Sequence, residues 1–217
     1  MNPQIKICCI QSIAEARLAI DHGASVIGLV GAMPSGPGPI DDRTIREIAA
    51  FARGIVHTFL LTSETTADGI ISHHQRTGTA AIQIVDAVSR DTYAGLRAAL
   101  PGIELVQVIH VTGPASLDEA LTVAPFVDKL LLDSGNPHAA VKELGGTGRT
   151  HNWEVSRQIV AQSPVPVFLA GGLNADNVRQ ALETVQPYGV DLCSGVRTQG
   201  ALNPVKLAAF MRAARGA

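Results

Sequence analysis

Along the chain, apolar runs of four to seven residues alternate with amphipathic stretches of ten or more, the pattern of repeated strand-helix units and a parallel sheet. Eight such units can be counted, with strands predicted over Ile5–Ile10, Val26–Val30, Val56–Leu61, Ala80–Ile84, Leu105–Ile109, Val127–Leu132, Val167–Ala170 and Val190–Leu192. Runs this short and this uniformly apolar suit strands covered on both faces. Between them, the segment Ile13–His22 places Ala14, Leu18 and Ala19 on one helical face and stops before Gly23. Asp41 or Asp42 can cap the next helix, and Asn174 the helix that runs through Val185. The expected architecture is α/β, a single (βα)8 TIM barrel over residues 1–217; an open doubly wound sheet built from the same elements is the alternative.

The stretch PVFLAGGL, then NADNVRQALETV, then GVDLCSGVR reads as strand, glycine turn, helix, strand, glycine turn. Gly171 and Gly172 let the backbone turn after the first strand, and Ser194 and Gly195 repeat the device after the second. Glycines after strands are often no more than turn residues. Two in succession, however, would aim backbone amides from neighbouring strand ends at one anion, and the loops after strands 7 and 8 of such a barrel commonly hold a phosphate. Gly and Pro also gather at Met33–Pro39 (MPSGPGP, containing Ser35) and Gly145–Gly148 (GGTG), both on the carboxyl side of strands, where this architecture builds its site.

Charge narrows the partners. Seventeen Lys and Arg against nineteen Asp and Glu give a net charge of −2 without a basic stripe, which argues against nucleic acid. No signal-like N-terminus and no long apolar run is present, so a cytoplasmic protein without membrane association is expected. Cys8, Cys9 and Cys193 are odd in number and lack metal-ligand spacing, so neither a metal site nor a disulfide is expected. Alternation along strand 1 puts Lys6, Cys8 and Ile10 on one face and Ile7 and Cys9 on the other, so with Cys8 at the barrel axis Cys9 is expected to pack against the helices. Asp133 ends the run LLLD at the mouth of strand 6, either as a turn cap or as an acid opposite Cys8.

Lys6–Cys8 (KIC), Leu130–Ser134 (LLLDS), the GGTG loop followed by Trp153, Leu169–Leu173 (LAGGL) and Val190–Val196 (VDLCSGV), in this order and spacing, resemble the phosphoribosylanthranilate isomerase family over essentially the whole chain. The resemblance implies an aldose-ketose isomerase, an Amadori rearrangement of an N-linked phosphoribosyl amine in tryptophan biosynthesis, with no metal or organic cofactor. It implies Asp133 as general acid and Cys8 as the base at the ribose C2. Gly171, Gly172, Ser194 and Gly195 would then hold the phosphate, with Gly146, Thr147 and Arg149 closing over a small sugar-phosphate substrate in a monomer or homodimer. The chain departs from the family pattern in four places: Cys9 replaces the Gly of K-I-C-G, no arginine follows Ser35 where S-P-R is usual, Val85 replaces the His of Q-L-H-G, and His151-Asn152 replaces F-D before the Trp. Arg43 in the following helix is the candidate to make good the missing arginine. These departures keep two alternatives open: a related barrel isomerase or lyase on a different sugar phosphate, or a non-catalytic phosphate-ligand sensor.

Overall fold

A computed structural model describes residues 3–136, 139, 141–146 and 148–216. Eight parallel strands close on themselves in chain order: β1 Gln4–Ile7, β2 Val26–Val30, β3 His57–Thr62, β4 Ala81–Ile84, β5 Glu104–His110, β6 Lys129–Asp133, β7 Val167–Leu169 and β8 Gly189–Leu192. The last seam decides between barrel and open sheet, and β1 pairs with β8 in parallel from Gln4↔Gly189 to Ile7↔Leu192. Alternation along the strands then sorts the core into two layers. Ile5, Ile7, Ile27, Leu29, Leu60 and Ile82 face the helices, whereas Phe59, Leu61, Ala81, Val106, Leu131 and Phe168 fill the interior. Phe59 and Phe168 meet edge to face across that interior with centroids 6.2 Å apart.

Outside lie α1 Ile13–Asp21, α2 Asp42–Ala52, α3 Ala67–Thr77, α4 Arg90–Ala99, α5 Ser116–Val123, α6 Trp153–Gln162, α7 Val178–Val185 and α8 Pro204–Arg215. Most of their starts are fixed by side-chain oxygens that take otherwise unpaired first-turn amides: Ser12 accepts from Glu15 N, Asp41 from Thr44 N, and Asn203 from Val205 N and Lys206 N. Asn174 acts one step earlier than expected. Its oxygen takes the amides of Asp176 and Asn177 in the turn before α7, and its carbonyl receives Val178 N. Among the described residues no helix is long and apolar enough to cross a membrane.

Two departures from the expected strands matter for the site. Strand β1 stops at Ile7 rather than Ile10, because Cys9 adopts φ +61 and breaks the extended run. After β8 a short hairpin, β9 Arg197–Thr198 with β10 Ala201–Leu202, precedes α8.

Candidate active site

The carboxyl ends of the strands surround a cavity open to solvent at the barrel mouth. Cys8, Asp133, Gly171, Gly172, Ser194, Ser35 and Gly146 all line it, so the structure brings together most of the residues singled out in the sequence. Gly195 and Arg149 do not line it, and Thr147 lies outside the described residues.

Cys8 is held by its amide, which donates to Leu192 O at 2.8 Å and extends the β1–β8 ladder one residue past the strand. Beneath it, Lys6 is fully buried and donates to Asp191 Oδ2 at 2.8 Å. Burial pulls the Lys6 ammonium down, but Asp191 and Cys8 beside it outweigh that and hold it above its ordinary range. For Cys8 the balance runs the other way. Burial pushes the thiol up to about 11, more than neighbouring Lys6 pulls it down, so the empty site holds a thiol at neutral pH. Lys6, on the same strand face, therefore does not hold Cys8 as a thiolate in the free protein. Two acceptors facing the cavity, Asp191 Oδ1 and Gln83 Oε1, are buried without a hydrogen-bond partner; groups of that kind are costly unless a ligand satisfies them.

Cys9 corrects a second expectation. Because its φ of +61 ends the alternation, its side chain turns to the cavity mouth and forms a disulfide with Cys193 across a Cα–Cα distance of 5.8 Å. Its carbonyl accepts from Arg197 Nη2, and Arg197 is bonded in turn to Glu15 at 2.8 Å. Burial works against the Glu15 carboxylate, yet Arg197 and the amides of Leu202 and Gln11 hold its pKa below the usual range. This buried ion pair ties the loop after β1 to the hairpin after β8. No sequence signal marks it, since its members stand 182 residues apart.

Asp133 ends β6 half-buried, and its Oδ1 accepts from Ser134 N at 2.7 Å. The backbone of Gly145 lies over the carboxylate. With φ +125 and a would-be Cβ 2.5 Å from Asp133 Oδ2, that position admits only glycine. At the other end, Gly171 and Gly172 turn beneath the backbone of Arg149 and Thr150, while Ser194 opens a single 3-10 turn, Ser194–Val196. Gly195 sits behind this surface, its Cα against Leu173 O, which packs the two glycine turns together. Arg149 places its guanidinium on Glu143. Of the family departures, Val85 lines the cavity wall and Asn152 caps α6. His151 is buried by the acid: Nε2 lies 2.7 Å from Ser156 Oγ, and burial keeps its pKa low against the pull of Asp133.

The cavity thus presents a thiol and a carboxyl group around its mouth, glycine turns at one end and an apolar wall of Met33, Leu61, Val85 and Leu144. Residues 5–213 match the family model of N-(5'phosphoribosyl)anthranilate (PRA) isomerase. The chain belongs to that family. It is 34% identical over 216 residues to the N-(5'-phosphoribosyl)anthranilate isomerase of Haloferax volcanii, covering 99% of this chain and 94% of that one. The solved isomerase of Pyrococcus furiosus superposes with a TM-score of 0.82 at 27% identity, covering 99% of this chain and 100% of that one. A phosphoribosylanthranilate isomerase solved in complex with reduced 1-(o-carboxyphenylamino)-1-deoxyribulose 5-phosphate shares the fold, with a TM-score of 0.81 at 22% identity and coverage of 99% and 100%.

Proposed function

We propose that the chain isomerises N-(5'-phosphoribosyl)anthranilate to the corresponding 1-deoxyribulose phosphate, the Amadori step of tryptophan biosynthesis, as a cytoplasmic monomer or homodimer. The observation that supports this reading best is that Cys8 and Asp133 share one cavity with the glycine turns of β7 and β8 at its end. Phosphate docks on the Gly171–Gly172 and Ser194 turns, which fixes the ribose over the β1 and β6 strand ends. Gly195, packed behind, keeps the two turns in register. Asp133 gives its proton to the ring oxygen, the furanose opens, and the nitrogen lone pair forms the iminium. Cys8, after losing its own proton to solvent, removes the proton from C2 as the thiolate. The cationic iminium forming beside the thiol opposes the burial that holds it protonated in the empty site. Gly145, against Asp133, and the backbone of Arg149, against Gly172, exclude water while the open-chain intermediate exists.

The deciding experiment follows the loss of phosphoribosylanthranilate fluorescence on addition of purified protein. Turnover abolished in Asp133→Asn supports the reading. Absence of turnover, with tight binding of other sugar phosphates in a thermal-shift panel, replaces it with a different phosphorylated substrate.

A further inference from the structure

The substrate proposed above carries a carboxylate on its aromatic ring, and a carboxylate taken from water needs a cation or converging donors. Among the described residues that line the cavity there is no Lys, Arg or His. Lys6 is sealed beneath the floor against Asp191. Arg43, the expected substitute, is 88% exposed on α2, bonded to Glu47, and does not line the cavity. Arg149 lies at the phosphate end, its backbone against Gly172.

Lys142 stands at the opposite end. Its carbonyl accepts from Ser35 Oγ at 2.6 Å, which fixes its backbone to the loop after β2 at a residue that lines the cavity. Its ammonium reaches across to Asp86 Oδ2. Asp86 is itself held in place, buried and accepting from Ala87 N at 2.9 Å, one residue beyond the cavity-lining Val85. Leu144, Gly145 and Gly146 of the same loop form part of the wall. Lys142 is therefore anchored at the rim beside the apolar side of the cavity, with a charge half exposed and ready to accept a second anionic partner.

We propose that Lys142 receives the ring carboxylate of the substrate and so determines specificity at the aromatic end, the task for which the loop after β2 carries no arginine. An ammonium has three donors, so it binds the incoming carboxylate while one donor stays on Asp86. This assignment rests on the aromatic substrate proposed above, and its test separates the two.

Lys142→Ala and Lys142→Arg are compared with the parent on phosphoribosylanthranilate and on its carboxylate-free analogue, phosphoribosylaniline. Binding of reduced 1-(o-carboxyphenylamino)-1-deoxyribulose 5-phosphate and of its carboxylate-free form is measured alongside. The expected result is a KM about tenfold higher for the carboxylated substrate in the alanine variant, with kcat unchanged, no change for the analogue, and recovery in the arginine variant. Equal effects on both substrates, or none, overturn the assignment and leave the isomerase reading intact. Carboxylate-specific loss of binding without any turnover by the parent keeps the assignment and overturns the isomerase reading. Neither turnover nor binding overturns both.

Discussion

The protonation state of Cys8 can be tested directly, because Cys9 and Cys193 are joined and Cys8 is the one free thiol of the chain. Burial carries this thiol from an ordinary 9.0 to about 11. Four pH units separate that value from neutrality, so only about one molecule in 10⁴ of the empty enzyme holds a thiolate at pH 7, and forming it costs about 5 kcal/mol. Titrating the thiolate by its ultraviolet absorbance should give a midpoint near 11, with no signal from Cys8→Ser. Turnover needs the Cys8 thiolate and the protonated Asp133 together, so kcat/KM should follow the product of the two fractions and not the thiolate alone. Stability should fall as the thiolate forms. The folded chain keeps the Cys8 proton longer than the unfolded chain does, so this contribution is intact below pH 9 and is lost as pH rises towards 11. The loss amounts to about 3 kcal/mol, and the raised Lys6 acts in the same sense. A titration midpoint near 7 would refute the reasoning, since Lys6 would then outweigh burial.

Cys8→Ala and Asp133→Asn should each lower turnover by roughly two to four orders of magnitude while leaving the thermal melt close to the parent's, the usual range for a positioned base or acid; a variant within tenfold of the parent removes that residue from the reaction. Lys6→Met should cost about 3–5 kcal/mol of unfolding free energy in urea by stranding the Asp191 carboxylate, and adding Asp191→Leu should restore most of it; an unchanged midpoint in the single variant would show that the pair is neutral. Gly145→Ala should reduce kcat/KM by at least tenfold through the collision of its Cβ with the Asp133 carboxylate at a positive φ, whereas crystals soaked in sulfate should still show the anion at Gly171 and Ser194.

The barrel was legible because each strand is a short apolar run buried on both faces, and the intervening helices carry a 3.6-residue stripe and, in most cases, a capping residue. The cavity residues were legible for a related reason: this architecture exposes what stands at the carboxyl end of a strand, so Cys8, Asp133, Gly171, Gly172 and Ser194 had one place to go. Strand ends were not. Alternation carried past Ile7 assigns Cys9 to the helix layer, and only a backbone torsion in the left-handed region, which no local pattern announces for a cysteine, reverses that assignment. The Arg197–Glu15 pair and the Lys142–Asp86 contact also escaped, since both depend on which loops meet in space across 182 and 56 residues.

The Cys9–Cys193 bond makes most of this chain a covalent ring, because its two ends are 184 residues apart in sequence and adjacent at the seam between β1 and β8. A backbone cut anywhere between them opens that ring without releasing a fragment, so a nicked barrel keeps both pieces at high effective concentration and can re-form its strand pairing. Only a cut combined with reduction of the bond lets the halves diffuse apart. New termini placed in an exposed loop of the ring, with the old ones joined, would reverse this: the bond would then close only the short segment joining the former ends, and the new first and last strands would be held by pairing alone.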